Sequence, residues 1–168
     1  KLISIYSLLA TLYIIAITLA SSIPSLGPTK FGPLLAISGL GIAIGSVGLG
    51  HIGEIVNFKK ISSIGLGGIT FSLLMLSKAK ESLSLTLLFC FSLGISIALI
   101  AIPAQTTIHR ETPSNQRGKV FGLQNNLINI ALTVPLVIAG VLISWIGLNL
   151  LLWILAGIAF FAVLLEKA

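Results

Sequence analysis

Long apolar runs separated by short polar turns set the pattern of this chain from one end to the other. Six spans can be drawn, at about 2–22, 32–50, 61–76, 83–108, 120–145 and 150–165. Pro24 and the Gly27-Pro28 turn close the first. Glu54, Asn57, Lys59 and Lys60 mark the turn after the second. The run Ser77-Lys78-Ala79-Lys80-Glu81-Ser82 separates the third from the fourth, and Gly147 with Asn149 separates the fifth from the sixth. About 17 apolar residues suffice to cross a bilayer, so even the short third and sixth runs qualify. Hydrocarbon offers no water to backbone N–H and C=O groups, so spans of this length are expected to be helical. The strict alternation of membrane β-strands does not occur. The pattern therefore predicts an all-α membrane protein with one six-helix transmembrane domain over residues 1–168.

Composition agrees with the lipid bilayer as the solvent. The chain is 56% hydrophobic and 8% charged, against about 25% charged in soluble domains. So few charges cannot cover a water-exposed surface. The net charge of +6 does not point to nucleic acid, because the cations sit in turns between apolar runs rather than on one face. With six spans, one side holds Lys1, Lys59, Lys60, Arg110, Arg117, Lys119 and Lys167; the other holds Lys30, Lys78 and Lys80. That excess favours the first side as cytoplasmic, and a multi-pass protein of the plasma (inner) membrane is the expectation. The chain opens on Lys1 without a signal-peptide cleavage pattern and reads as a fragment.

Candidate chemistry is sparse. Cys90 lies inside an apolar run and reads as a small core residue. His51 and His109 sit at span ends without a metal-ligand set, and no H-E-x-x-H, G-x-S-x-G or P-loop pattern occurs. No metal, no cofactor and no enzymatic activity is expected. Within the spans, Gly41 and Gly45 form a G-x-x-x-G that lets a neighbouring helix approach closely, either for tight packing or for a helix that slides. In span five, Asn126, Asn129 and Thr133 fall three and four apart and share a face, beside Gln124 and Asn125. Amides are costly in lipid, so these groups either bond across helices or line a substrate path. Gln105 follows Pro103 in span four. Tyr6 and Tyr13, seven apart, either line a path or serve as an interface anchor and a packed ring. Pro103 and Pro135 are positioned to kink their helices. No carboxylate or strong base falls mid-span, so an ion-coupling group is not expected among these residues.

The link from Ile102 to Leu123 is the most specific stretch. Thr112-Pro113 reads as the N-cap and first position of span five, with Arg117-Gly118-Lys119 in its first turn. Pro103, Gln105, Thr106, Ile108, Thr112, Pro113, Arg117, Gly118, Lys119, Val120, Phe121, Gly122 and Leu123 together resemble the link between the tenth and eleventh helices of major facilitator superfamily efflux permeases, in the multidrug and macrolide-type branch. After span two, Gly50, Gly53, Glu54, Lys59 and Lys60 are similar to that family's repeated cytoplasmic motif. Glu54 stands for its usual Asp, Ile55 for a basic residue, and Asn57-Phe58 for Gly-Arg.

The resemblance implies half of a twelve-helix transporter, helices seven to twelve, built of inverted three-helix repeats with substrate bound between the halves. It also implies a partnering N-terminal six-helix half that is missing from this chain, and a small apolar or amphipathic substrate exported by alternating access. Gly50, Gly53, Glu54, Lys59, Lys60, Arg110, Arg117, Gly118 and Lys119 would then form a cytoplasmic gate. Tyr6, Tyr13, Gln105, Asn126, Asn129 and Thr133 would border the path. The competing expectation is a non-transporting multi-span scaffold or assembly subunit that uses its small-residue faces for partner helices.

Overall fold

The computed structural model describes residues 15–16, 18–20, 31–52, 58–79 and 82–167, with the side chains of 52, 58 and 162–167 left aside. Four helices account for almost all of these residues: α1 (Gly32–Ile52), α2 (Phe58–Lys78), α3 (Leu83–Glu111) and α4 (Arg117–Lys167). Each is long and apolar enough to cross a membrane. Residues 15–16 and 18–20 are helical as well, and Ile15, Ala16, Leu19 and Ala20 are buried in the common core. The helices run past the apolar spans into polar residues, because an interfacial turn continues the backbone hydrogen-bond ladder without needing an apolar side chain.

The fourth helix is interrupted once. Gly147 has φ 76 and ψ 164, a backbone that side-chain-bearing residues rarely adopt. Without that break the 51-residue element would extend about 77 Å at 1.5 Å per residue, against about 30 Å of hydrocarbon. Ala139 before the break and Leu148, Leu151, Leu152, Ala156 and Ala159 after it belong to one buried cluster. The segment 148–167 therefore folds back onto the bundle. Its buried positions recur three and four apart, as one helix face requires.

Two seams of small residues set the arrangement around α3. On one side, a Cβ added at Gly41 would overlap the Phe91 carbonyl, and one added at Gly45 would lie 2.8 Å from the Ala98 Cβ. Conversely, a Cβ at Gly94 would overlap the Ser38 carbonyl. Pairing 41 with 94 and 45 with 98 makes α1 and α3 parallel. On the other side, a Cβ at Gly65 would lie 2.8 Å from the Ser96 carbonyl oxygen, and one at Gly68 would press on the Ser96 side chain. Ser72 Oγ donates to Ser92 Oγ at 3.1 Å, and the Phe71 and Phe89 rings meet edge to face at 6.2 Å. This register is antiparallel. It closes at the turn, where the Thr86 hydroxyl reaches both the Ala79 carbonyl at 3.0 Å and the Ser82 carbonyl at 2.9 Å. Pro103 and Pro135 both lie inside continuous helix.

Opposite outcomes are expected for two alanine substitutions on these helices. Gly94→Ala places its methyl against the Ser38 carbonyl and should destabilise by about 1–3 kcal/mol. Gly48→Ala meets nothing within 4 Å and should gain up to about 1 kcal/mol of helix propensity. Thermal unfolding of the purified protein in detergent reads both; equal effects would mean that the seam does not set the α1–α3 approach.

Candidate functional site

The registers bring the expected gate residues to one end of the bundle. Gly50 is near the C-terminus of α1, and Lys59 and Lys60 open α2. Arg110 is in the last turn of α3, and Arg117, Gly118 and Lys119 form the first turn of α4. α1 runs parallel to α3 while α2 runs antiparallel to it, so all these termini share an end. The lysines, arginines and glycines named here are exposed. Gly53 and Glu54 lie outside the described residues, as do Tyr6 and Tyr13.

The link that begins α4 differs from the sequence expectation in one respect. Thr112 does not cap α4. It closes α3: its N–H and its hydroxyl both donate to the Ile108 carbonyl, at 3.1 and 2.6 Å. Its backbone is extended, at φ −87 and ψ 115, as a residue before proline requires. Pro113 then opens a turn in which Gln116 N–H donates to the Pro113 carbonyl at 3.0 Å, and the first α4 bond runs from Val120 N–H to the Gln116 carbonyl. The turn places Arg117 at the start of the helix.

Two side-chain rungs join α3 to α4 beyond this turn. The His109 and Phe121 rings lie 4.7 Å apart, tilted by 43°. One turn deeper, Gln124 Nε2 donates to Gln105 Oε1 at 2.7 Å. Positions 109 and 105 are four apart on α3, and 121 and 124 are three apart on α4, so both rungs fall on facing stripes of an antiparallel pair. The amide bond gives two polar groups a partner where lipid gives none. Neither pairing was legible in advance, although both glutamines stand out as polar residues in apolar runs.

The part of α4 before Gly147 has three distinct faces at 100° per residue. Ala131 and Ala139 are buried, with Phe121, Gln124, Ile128, Pro135 and Leu142 half-buried near them. A second strip is exposed and polar or small, with Gly122, Asn125, Asn126, Asn129, Thr133 and Ser144. The Thr133 hydroxyl donates to the Asn129 main-chain carbonyl at 2.8 Å. A third strip is exposed and apolar, with Leu123, Leu127, Ile130, Val134, Val141 and Trp145. Asn125 and Thr133 lie about 12 and 24 Å along the axis from Arg117, so the amide strip sits at the middle depths of a 30 Å core.

Alternating, mutually packed apolar helices of membrane-crossing length define an integral, multi-span α-helical membrane protein. The sequence profile of the Major Facilitator Superfamily matches residues 2–166, and the chain belongs to that superfamily of membrane transporters. No curated protein and no solved structure matches it at a significant level.

The α3–α4 amide rung should register as an energetic coupling. In a double-mutant cycle of Gln105→Ala and Gln124→Ala, the two losses should overlap by about 0.6 kcal/mol, with about 1.7 kcal/mol as the upper end for bonds between membrane helices. Additive losses in thermal unfolding would mean that each amide is satisfied without the other.

Proposed function

We propose that this chain works as the C-terminal six-helix half of a major facilitator efflux permease of the plasma (inner) membrane. It would form one wall of an alternating-access path for a small apolar or amphipathic molecule. The observation that carries this reading is the three-faced α4. One face joins the bundle and one is apolar enough for lipid. The third presents Asn125, Asn126, Asn129 and Thr133 outward at mid-membrane depth. Amides facing hydrocarbon would cost several kcal/mol each, so that face requires water or a polar partner. A central path shared with an N-terminal six-helix half supplies both.

The charged end of the bundle supports the same reading. Lys59, Lys60, Arg110, Arg117 and Lys119 gather there around the ends of all four helices. In an alternating-access cycle they form the cytoplasmic gate, together with Gly50, Gly53, Gly118 and the Glu54 carboxylate. Gln105 is a path candidate on α3, near its cytoplasmic end, where it accepts from Gln124 on the bundle-facing side of α4. Tyr6 and Tyr13 are the wall candidates of the first span. The lack of charge along the amide strip favours a neutral or amphipathic cargo over a strongly ionic one.

The strip assignment is testable by single cysteines in a Cys90→Ala background. Asn129→Cys and Thr133→Cys should react with a charged, water-soluble methanethiosulfonate in intact membranes. Val134→Cys and Val141→Cys, on the apolar strip, should react at least about tenfold more slowly. Uniform protection of all four would remove the aqueous path from this helix.

A further inference from the structure

The outward face of α2 carries a strip that the path does not use. Lys60, Ile64, Gly67, Phe71 and Lys78 are all exposed. At 100° per residue they fall within about 60° of one another around the helix axis. Ile69, Leu73 and Leu76, on the opposite side, are buried in the common core. Gly65, Gly68 and Ser72, which face α3, lie between the two. Between its ends the strip is apolar. Ile64 is 66% exposed, and Phe71 meets Phe89 of α3 yet stays 55% exposed. The lysines at the two ends stand about 27 Å apart along the axis.

Two features of the strip select its occupant. The first is the size of its residues. Membrane helices associate where small residues let backbones approach, as Gly65, Gly68 and Ser72 do toward α3 on this same helix. Ile64 and Phe71 hold a neighbouring backbone off, whereas flexible acyl chains conform to them. The second is the spacing of the cations. About 27 Å nearly matches a hydrocarbon core of about 30 Å, and lysine stems near helix ends snorkel to the headgroup level. The Lys60 end is the more strongly charged. Lys59, Lys60, Arg110, Arg117 and Lys119 gather there, while the same two turns carry only two carboxylates, Glu54 and Glu111. An excess of cations remains whatever pairs form. We propose that this strip is a lipid site. It seats an anionic phospholipid of the bilayer, with the net-negative headgroup on Lys60 and an acyl chain along Ile64, Gly67 and Phe71. The assignment needs α2 to cross a bilayer and is independent of what the protein carries.

Contact quenching of a single tryptophan tests the proposal on the full chain in lipid nanodiscs. The two native tryptophans are first replaced, Trp145→Phe and Trp153→Phe. Gly67→Trp then puts the reporter on the strip, where an added Cβ meets nothing within 4 Å. Acyl-brominated phosphatidylglycerol should quench it at about fivefold lower mole fraction than brominated phosphatidylcholine, the preference that one interfacial cation supplies. Ile64→Trp gives the same reading should Gly67→Trp fail to fold. Lys60→Gln should erase the preference. Lys59→Gln removes the same charge about 100° away around the helix and should keep it. Equal quenching by the two lipids, or equal losses in the two glutamine variants, would overturn the proposal. An absence of quenching by either lipid would overturn it too and assign the strip to a protein partner instead.

Discussion

The approach of α3 to its two neighbours is the constraint on which the remaining structure rests. Between helices in lipid the hydrophobic effect gives little net attraction, because the tails are as apolar as the side chains they would displace. Association then depends on how close two backbones can come. α3 meets α1 where Gly94 and Ala98 face Gly41 and Gly45, and it meets α2 where Ser92 and Ser96 face Ser72, Gly68 and Gly65. At both seams a single added methyl would meet main-chain or side-chain atoms. The pairings fix register and direction together: α1 parallel to α3, α2 antiparallel. Everything at the charged end follows from those directions.

The fourth helix is attached in another way. Its backbone does not come close to α3 or α1 among the described residues; it packs on α2 and reaches α3 through side chains. Toward α3, then, α4 is held by two side-chain rungs, while its backbone packs directly on α2. Side-chain rungs are easier to remake than a glycine seam, since they shift by rotamer changes rather than by parting backbones. That difference is in keeping with the role proposed for α4 as one wall of an alternating-access path. Gly147 allows the same element to cross, reverse and pack its last segment back on the core.

Much of this was legible in the sequence, and the reasons are local. The apolar runs and their turns mark the helices because lipid tolerates few alternatives. Gly147 signalled a break. The spacing of Gly41 and Gly45 identified a packing face, and Gly65, Gly68 and Ser72 carry the same three-and-four signal. What spacing could not give was the partner: Gly94 became meaningful only opposite Gly41, and Gln105 only opposite Gln124. Thr112 was misread for a related reason. A Thr-Pro pair suits the start of a helix, but the preceding helix still had an unsatisfied carbonyl at Ile108, and the threonine closed that end instead. The polar strip of α4 was seen as three residues on one face, whereas its separation from a neighbouring apolar strip needed the burial of the whole helix.

The sidedness of the two polar turns that flank α3 decides the transmembrane arrangement. They are the ends of one 29-residue helix, so a membrane crossing must put them on opposite faces. In a Cys90→Ala background, Ser114→Cys in the α3–α4 link and Ser82→Cys at the α2–α3 turn give the direct measurement with an impermeant thiol reagent. Labelling of position 114 from the cytoplasm alone and of position 82 from outside alone is the expected outcome. Labelling of both from the same face would contradict the six-span arrangement, and with it the placement of Arg117 at a cytoplasmic gate.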